Sequence, residues 1–300
     1  MRVVACLALL LGSFGAFAAD GQTTRTIEAE GASVRVDFQS ARFKHGVAPV
    51  MAWIRRSMDI VARYYGQFPA RQLRIQVTVS DGDRVRHGTA YGAAMPLIRL
   101  QVGRDVTAAQ LRDDWVLVHE MVHLALPEVG DDRLWFTEGL STYIEGVARV
   151  QAGELPAERV WAEHVRSMPK GLPGPGDRGL DRTHTWGRTY WGGALFCLLA
   201  DVEIRKKTAN RLGLRDAMRA VLLQTGGLAF EAPIERVLKI GDEATNTTVL
   251  QDLYAQMKHN AVSPDLDELW RQLGIELRGK NVELKDDAPL AATRDAIMTP

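Results

Sequence analysis

The sequence predicts an α+β protein in which a lobe built on a mixed sheet precedes a helical lobe. Segments with alternating apolar residues cluster before residue 103, whereas apolar residues at helical spacing dominate after it. Of the 300 residues, 46% are hydrophobic and 25% are charged, which excludes a disordered, collagen-like or coiled-coil chain. We therefore expect an N-terminal sheet lobe over residues 20–125 and a helical C-terminal lobe over residues 126–300, both parts of one domain.

The first nineteen residues are expected to form a signal peptide rather than part of the fold. In residues 1–19, Arg2 precedes a short apolar run, residues 3–11, and residues 16–18 form a small-x-small cleavage pattern. A retained membrane anchor is the alternative, but the apolar run is shorter than a bilayer requires. The layout predicts a periplasmic or secreted protein. Its mature chain keeps Cys197 as its single cysteine and so forms no internal disulfide.

The charge balance argues against two classes of partner. Lys plus Arg and Asp plus Glu each number 37. A formal net charge of zero provides no electrostatic attraction to nucleic acid or to an anionic membrane surface. No segment after the signal peptide reaches about 18 consecutive apolar residues, so no transmembrane segment is expected in the mature chain.

Strands are predicted from residue alternation. Residues 20–32 are expected to form a polar leader, and no strand is predicted there. The alternating segments are residues 33–38, residues 73–79 and, as one or two strands, residues 89–102. Pro96 favours an edge position for the last segment because proline has no N–H for the sheet ladder. Residues 275–284 predict a small hairpin around Gly279.

Helices are predicted where apolar residues recur every three to four positions. Those before the loop rich in Gly and Pro at residues 170–179 cover residues 47–65, 107–126 and 134–151. Thr107 is a suitable N-cap for the second of them, and Pro127 ends it. Those after the loop cover residues 186–207, 214–224, 233–240, 248–259 and 264–273.

His119, Glu120 and His123 form an H-E-x-x-H pattern inside one predicted helix. Histidines four residues apart lie on the same helix face, so two imidazoles can reach one ion. Zinc favours such ligands, needs a third protein ligand, and leaves one position for a water from which Glu120 can take a proton. A pair of hydrogen-bonded surface histidines is the alternative. The apolar flanks, residues 115–118 and 124–126, instead predict a buried helix, in which polar groups without a purpose are costly.

Glu138 is the expected third zinc ligand. The short loop after the first helix allows the next helix to return beside it and to carry Glu138 to the open side of the metal. A fully exposed glutamate is the alternative, but the apolar residues 134–136 argue against it. Thr142 and Glu145 follow on the same face. Glu145 is a candidate to orient a ligand histidine through its other ring nitrogen, with an ordinary solvated carboxylate as the open alternative.

The stretch from His119 to Gly146, which contains WFTEGLSTYIEG, resembles the gluzincins, the thermolysin-like and aminopeptidase N-like zinc peptidases. It is most similar to the glycyl aminopeptidase family and its peptidase MA-like relatives. Those enzymes carry H-E-x-x-H on one helix and the glutamate of an N/S/T-E-G motif on the next. The resemblance implies a thermolysin-like zincin catalytic domain with Zn²⁺ as its cofactor. It also implies His119, His123 and Glu138 as ligands and Glu120 as general base.

Residues 190–195, YWGGAL, are similar to the Tyr-x-Lys-Gly-Ala-Leu pattern that opens a helix in the same clan. The similarity implies that Tyr190 stabilises the oxyanion of the tetrahedral intermediate, a role that a phenol O–H next to a metal can perform. An aromatic residue packed in the core at a helix start is the alternative. His184 and Arg188 are further candidates for substrate contact, with ordinary solvated side chains as their alternative.

In thermolysin-like enzymes a peptide substrate adds as a strand to the edge of the sheet, and residues 90–102 are the candidate for that edge here. Aminopeptidase N relatives carry a Gly-x-Met-Glu-Asn motif there, whose glutamate binds the free amine of the substrate. Residues 92–96, GAAMP, contain no acidic residue. The choice between aminopeptidase and endopeptidase therefore stays open.

These patterns lead to three functional hypotheses. The first is a secreted or periplasmic zinc metallopeptidase that hydrolyses a peptide or protein substrate, with Glu120 activating the water and Tyr190 stabilising the oxyanion. The alternative is a peptide-binding or assembly factor with little turnover, because a fold does not guarantee activity. The intact Glu120 argues against that alternative. The third hypothesis is zinc-dependent hydrolysis of a non-peptide bond.

Overall fold

The computed structural model describes residues 23–40 and 42–300. Over these residues the chain has a mixed α+β fold. One helix lies between the second and third strands of a five-stranded sheet, and the helices that follow the sheet are interrupted near the C-terminus by a two-stranded hairpin. The predicted signal peptide, residues 1–19, lies outside the described residues. It stays a prediction, as does the division into lobes at residue 125. Within the described ranges, no helix has the length and apolar character needed to cross a membrane.

The sheet consists of strands β1 (Thr23–Ala29), β2 (Ala32–Phe38), β3 (Gln72–Ser80), β4 (Val85–Tyr91) and β5 (Leu97–Gly103). Their spatial order is β1-β2-β3-β5-β4, with β3 parallel to both neighbours and an antiparallel pair at each edge. Alternate apolar residues of the three central strands are buried, for example Val34, Ile75 and Leu100. They join residues of the helices in one hydrophobic core, as the period of two predicts.

The two edge strands differ from the sequence-based expectation. β1 lies in the segment that was expected to be a polar leader. Ile27 is its one buried residue, so pairing of its backbone with β2, and not apolar alternation, makes it a strand. β4 begins at Val85, before the predicted segment, and has no fully buried residue. Pro96 is not on an edge, since it precedes the interior strand β5 and its carbonyl accepts a hydrogen bond from the Arg74 N–H at 3.0 Å.

The first four helices are α1 (Ala48–Tyr65), α2 (Ala108–Asp113), α3 (Val116–His123) and α4 (Leu134–Gln151). The bounds of α1 and α4 match the sequence-based prediction to within one residue, whereas the single helix predicted over residues 107–126 is divided into α2 and α3. Asp114 has an extended backbone, with ψ at 138°, and its carboxylate accepts a hydrogen bond from the Val116 N–H at 3.0 Å. This hydrogen bond from the first residue of α3 to a preceding side chain competes with continuation of α2.

The later helices are α5 (Ala157–Ser167), α6 (Gly193–Thr208), α7 (Leu214–Thr225), α8 (Ile234–Thr245), α9 (Val249–Met257), α10 (Leu266–Leu273) and α11 (Ala291–Met298). The predicted hairpin is present as β6 (Ile275–Arg278) and β7 (Asn281–Leu284). The sequence-based prediction missed α5 and α11. Pro156, which precedes α5, and the buried spacing of Val160, Trp161 and His164 were signals that identify α5.

Candidate metal centre

Two histidines of α3 and one glutamate of α4 converge on one point. The Nε2 atoms of His119 and His123 lie 3.1 Å and 3.6 Å from the same oxygen, Oε2 of Glu138. One ligand atom from each residue lies within 4.8 Å of the other two. Atoms bound about 2 Å from a tetrahedral zinc ion lie roughly 3.3 Å apart, so these distances suit such an ion. The structure thus brings together the three residues that the sequence predicts as ligands.

The position of Glu138 depends on a close crossing of α4 and α6 at two glycines. A Cβ atom on Gly193 would lie 2.0 Å from the carbonyl oxygen of Trp135, and one on Gly139 would lie 2.3 Å from the Cα of Gly193. Any larger residue at either position would separate the two helices. The crossing therefore holds the turn that carries Tyr190 beside the helix that carries Glu138.

The protonation states of Glu138 and His119 suit metal binding, whereas burial lowers the pKa of His123 but its interaction with Glu138 outweighs burial and raises that pKa. Burial raises the pKa of Glu138, but hydrogen bonds with His119 and His123 outweigh this effect and hold the pKa at about 2. Burial lowers the pKa of His119, which favours the neutral imidazole that a metal requires. The Nδ1 atom of His123 lies 3.2 Å from the Oγ of Ser141, so its Nε2 is left to face Glu138. Two imidazole nitrogens and an anionic carboxylate are a donor set that fits zinc.

Glu120 lies beside this group in a cleft of about 510 Å³, which is also lined by His119, His123, Glu138 and Tyr190. Its side chain contacts β4, because a Cβ atom on Gly88 would lie 2.6 Å from the Cγ of Glu120. Burial raises the pKa of Glu120 to about 7, with His123 opposing the shift and Glu138 adding to it. A carboxylate with a pKa near neutrality can both accept and return a proton.

Tyr190 lies on a π-helical turn, Arg188–Gly192, directly before α6. Its ring centroid is 6.4 Å from that of His119, with 24° between the ring planes. Burial and the negative charge of Glu138 raise the pKa of Tyr190 to about 12, so the phenol keeps its proton at neutral pH and is available as a donor. Such π turns within helices occur frequently at functional sites.

The predicted role of Glu145 is wrong. Its Oε1 accepts a hydrogen bond from Arg149 at 2.6 Å, and it does not orient either histidine. The side chain that contacts the Nδ1 atom of His123 is that of Ser141. Ser141 follows Glu138 by three residues, which places both on one helix face, so the i+3 spacing was a signal for it that the sequence reasoning missed.

Arg188 does not face the cleft. It is buried in an ion pair with Asp177, with 2.8 Å between Nε and Oδ2, and it donates to the carbonyl of Gly171 at 2.5 Å. Arg188 therefore holds the loop that precedes its own helix, and the prediction of a substrate contact is wrong. His184 is exposed, and its contact with substrate stays a prediction.

The sheet edge beside the centre is β4. The predicted binding edge, residues 90–102, contains only the end of β4, because its remainder is the connecting loop and the interior strand β5. Gly88, Thr89 and Ala90 of β4 line the cleft. Within the described part of the chain β4 pairs with β5 alone. Its outer edge can therefore pair with the backbone of a peptide.

Comparison with solved structures identifies proteins with a similar fold. No protein-family profile and no curated protein sequence matches the chain. An aminopeptidase N family protein from Idiomarina loihiensis has a TM-score of 0.67 and 15% identity, over 86% of this chain and 50% of that one. An M1 zinc metallopeptidase from Deinococcus radiodurans has a TM-score of 0.54 and 16% identity, over 82% of this chain and 53% of that one.

This chain spans about half the length of these solved structures. At 15% and 16% identity, the similarity concerns the fold alone. The described residues therefore share the mixed α+β fold found in part of the structures of M1 zinc metallopeptidases.

Proposed function

We propose that this protein is a zinc-dependent peptidase of the gluzincin type, with a thermolysin-like catalytic domain related to the glycyl aminopeptidase and peptidase MA-like group. The observation that carries the proposal is the convergence of His119, His123 and Glu138 in a cleft that also contains Glu120 and Tyr190. The fold shared with M1 zinc metallopeptidases supports it. The predicted signal peptide implies that the reaction takes place in the periplasm or outside the cell.

A zinc ion held by the two imidazoles and the carboxylate would supply Lewis acidity to a water molecule and to the carbonyl of the scissile peptide bond. Glu120 accepts a proton from the attacking water and returns it to the leaving amine. Tyr190 donates a hydrogen bond to the oxygen on which negative charge develops. β4 pairs with the backbone of the substrate and orients the scissile bond.

The Glu120→Gln variant tests this proposal. The zinc-loaded wild-type and variant proteins are incubated with a peptide mixture, and the products are identified by mass spectrometry. Loss of the general base is expected to lower kcat/KM by about 10²–10⁴-fold, with the zinc content of the protein unchanged. The ends of the products distinguish aminopeptidase from endopeptidase action. Equal hydrolysis by the two proteins contradicts the proposal.

A peptide-binding measurement and an assay with ester substrates separate the two alternatives. Peptide binding without hydrolysis by the wild-type protein would favour a binding or assembly factor. Hydrolysis of esters but not of peptides would favour a non-peptide substrate.

A further inference from the structure

A second cavity, of about 550 Å³, opens beside the catalytic cleft. The two share Trp115, His119 and Tyr190 as lining residues, so they meet at the candidate metal centre. A peptide whose scissile bond lies at that centre therefore has a side chain next to the bond at the mouth of the second cavity. This inference rests on the proposed peptidase function.

Aromatic rings line the mouth of the second cavity. Trp115 is 52% exposed and Trp186 is 61% exposed, although both are large apolar residues. Trp186 stacks on Tyr190 with 5.9 Å between the ring centroids, and Trp191 also lines the cavity. Exposed aromatic faces can pack against the methylene stem of a long side chain and attract a cation at its end.

The lining of the cavity also contains carboxylates and histidines. Glu163 of α5 is an exposed residue that lines the cavity, and among the described residues its carboxylate has no ion-pair or hydrogen-bond partner. Glu145 has one oxygen bonded to Arg149, and its other oxygen has no hydrogen-bond partner within residues 23–40 and 42–300. His164 is 2% exposed, and its Nδ1 has no hydrogen-bond partner in the part of the chain that the structure describes. Burial lowers the pKa of His164 to about 4, so this ring is neutral and adds no positive charge at neutral pH.

The cations that line the same cavity already have partners. Arg149 donates to Glu145 and to the carbonyls of Arg112 and Asp113. Arg159 is paired with Asp113 at 2.6 Å. Lys170 donates to Ser167 at 3.1 Å and lies over the Trp191 ring, 5.6 Å from its centroid. Among the described charged residues that line the cavity, Glu163 is therefore the one whose side chain has no hydrogen-bond or ion-pair partner.

We propose that this cavity is the specificity pocket of the enzyme and that it takes a lysine or arginine side chain next to the scissile bond, with Glu163 as its binding anion. The aromatic rings at the mouth contact the stem of that side chain. The charged end reaches Glu163, with which it forms charge-assisted hydrogen bonds.

Binding is measured first, because it does not require turnover. Two sets of peptides are compared, one varied at the residue before a given bond and one at the residue after it. The varied residue is arginine, norleucine or glutamate. The affinities of these peptides for the zinc-loaded Glu120→Gln protein are measured by calorimetry. On one side of the bond, the peptide with arginine is expected to bind roughly tenfold more tightly than the peptide with norleucine. One charge-assisted hydrogen bond provides a gain in affinity of this size. A preference for norleucine or glutamate on both sides, or no binding of any peptide, overturns the proposal.

Variants of Glu163 in the same background identify the anion. Glu163→Gln is expected to reduce the preference for arginine to about twofold or less, and Glu163→Lys to transfer it to glutamate. The matched control is Glu158→Gln, an exposed glutamate on the same helix that does not line the cavity; it should keep the full preference. An unchanged preference in Glu163→Gln overturns the assignment.

Hydrolysis of the same peptides is measured in parallel with the protein that retains Glu120. This measurement distinguishes failure of the pocket proposal from failure of the proposed peptidase function. Hydrolysis without a preference for basic residues refutes the pocket and supports the peptidase. A preference in binding without any hydrolysis supports the pocket and contradicts the peptidase.

Discussion

The phenol of Tyr190 is the group whose contribution a single substitution isolates best. Its ring lies beside that of His119, and the cleft that it lines contains the candidate metal ligands. Tyr190→Phe removes the hydrogen-bond donor and keeps the ring. We expect kcat to fall by about 10²–10³-fold, as for other losses of an oxyanion donor. Steady-state kinetics and metal analysis check this, with KM and zinc content expected to change little. An unchanged kcat would exclude this role for Tyr190.

Asp37 of β2 connects three strands of the sheet. Its carboxylate accepts hydrogen bonds from Thr24 of β1 at 2.7 Å, from Arg35 at 2.9 Å and from Arg74 of β3 at 2.7 Å. Burial raises the pKa of Asp37, but these hydrogen bonds outweigh burial and lower the pKa from 3.8 to about 2. The ionised carboxylate therefore stabilises this edge of the sheet.

The depressed pKa of Asp37 determines how its contribution depends on pH. The stabilisation is complete above the pKa of the unfolded chain, near 3.8, and is lost as the pH falls through about 2. Asp37→Asn is expected to lower the free energy of unfolding by about 2 kcal/mol at pH 7, with a smaller difference from wild type as the pH approaches 2. Urea denaturation between pH 2 and 7 measures this.

The control for Asp37 is Asp59→Asn, which removes a surface ion pair with Arg63 on α1. Its effect on the free energy of unfolding should stay below about 0.5 kcal/mol. A destabilisation by Asp37→Asn that is the same at every pH would contradict the account of Asp37.

The close crossing of α4 and α6 is a packing contact on which the stability of the fold depends. Gly193→Ala places a methyl group 2.0 Å from the carbonyl oxygen of Trp135, so the helices must separate. We expect the free energy of unfolding to fall by about 2–4 kcal/mol, together with a weaker affinity for zinc because Glu138 moves with α4. Gly174→Ala is the control, since a Cβ atom there has no neighbour within 4 Å. Chemical denaturation and zinc titration compare the two, and equal stabilities would refute the packing argument.

The metal centre connects two helices that are consecutive in the chain, α3 and α4, within a single hydrophobic core. Because the unfolded chain does not hold the three ligands together, zinc should bind the folded state and stabilise the whole molecule. Zinc at about 100 times its dissociation constant is expected to add about 2.7 kcal/mol, and a chelator should remove this. Thermal denaturation with and without chelator checks the expectation. His119→Ala should show no zinc-dependent shift, and a shift equal to that of wild type would place the metal elsewhere.

The features that the sequence predicted correctly are those encoded by a local period. The alternation in residues 33–38 and 73–79 reflects strands with one buried face, and the spacing in residues 134–151 reflects a helix packed on one side. The positions of His119, His123 and Glu138 follow from the same logic. A spacing of four places two ligands on one face, and a short loop returns the third.

The features that the sequence did not predict depend on partners distant along the chain. β1 and β4 are strands because of the backbones beside them, and neither has a buried period to reveal it. The contact of Ser141 with His123, in place of Glu145, depends on how α4 is rotated against α3.

The sequence by itself therefore determined the central strands and the main helices, because the spacing of neighbouring residues encodes each of them. It also predicted the three residues that converge at the candidate metal centre, and their binding of zinc stays a prediction. Only the tertiary structure decided which edge of the sheet meets the cleft, how closely α4 and α6 approach at Gly193, and where the second cavity opens. These depend on packing between segments far apart in the chain, and no local pattern of residues specifies which segments will meet.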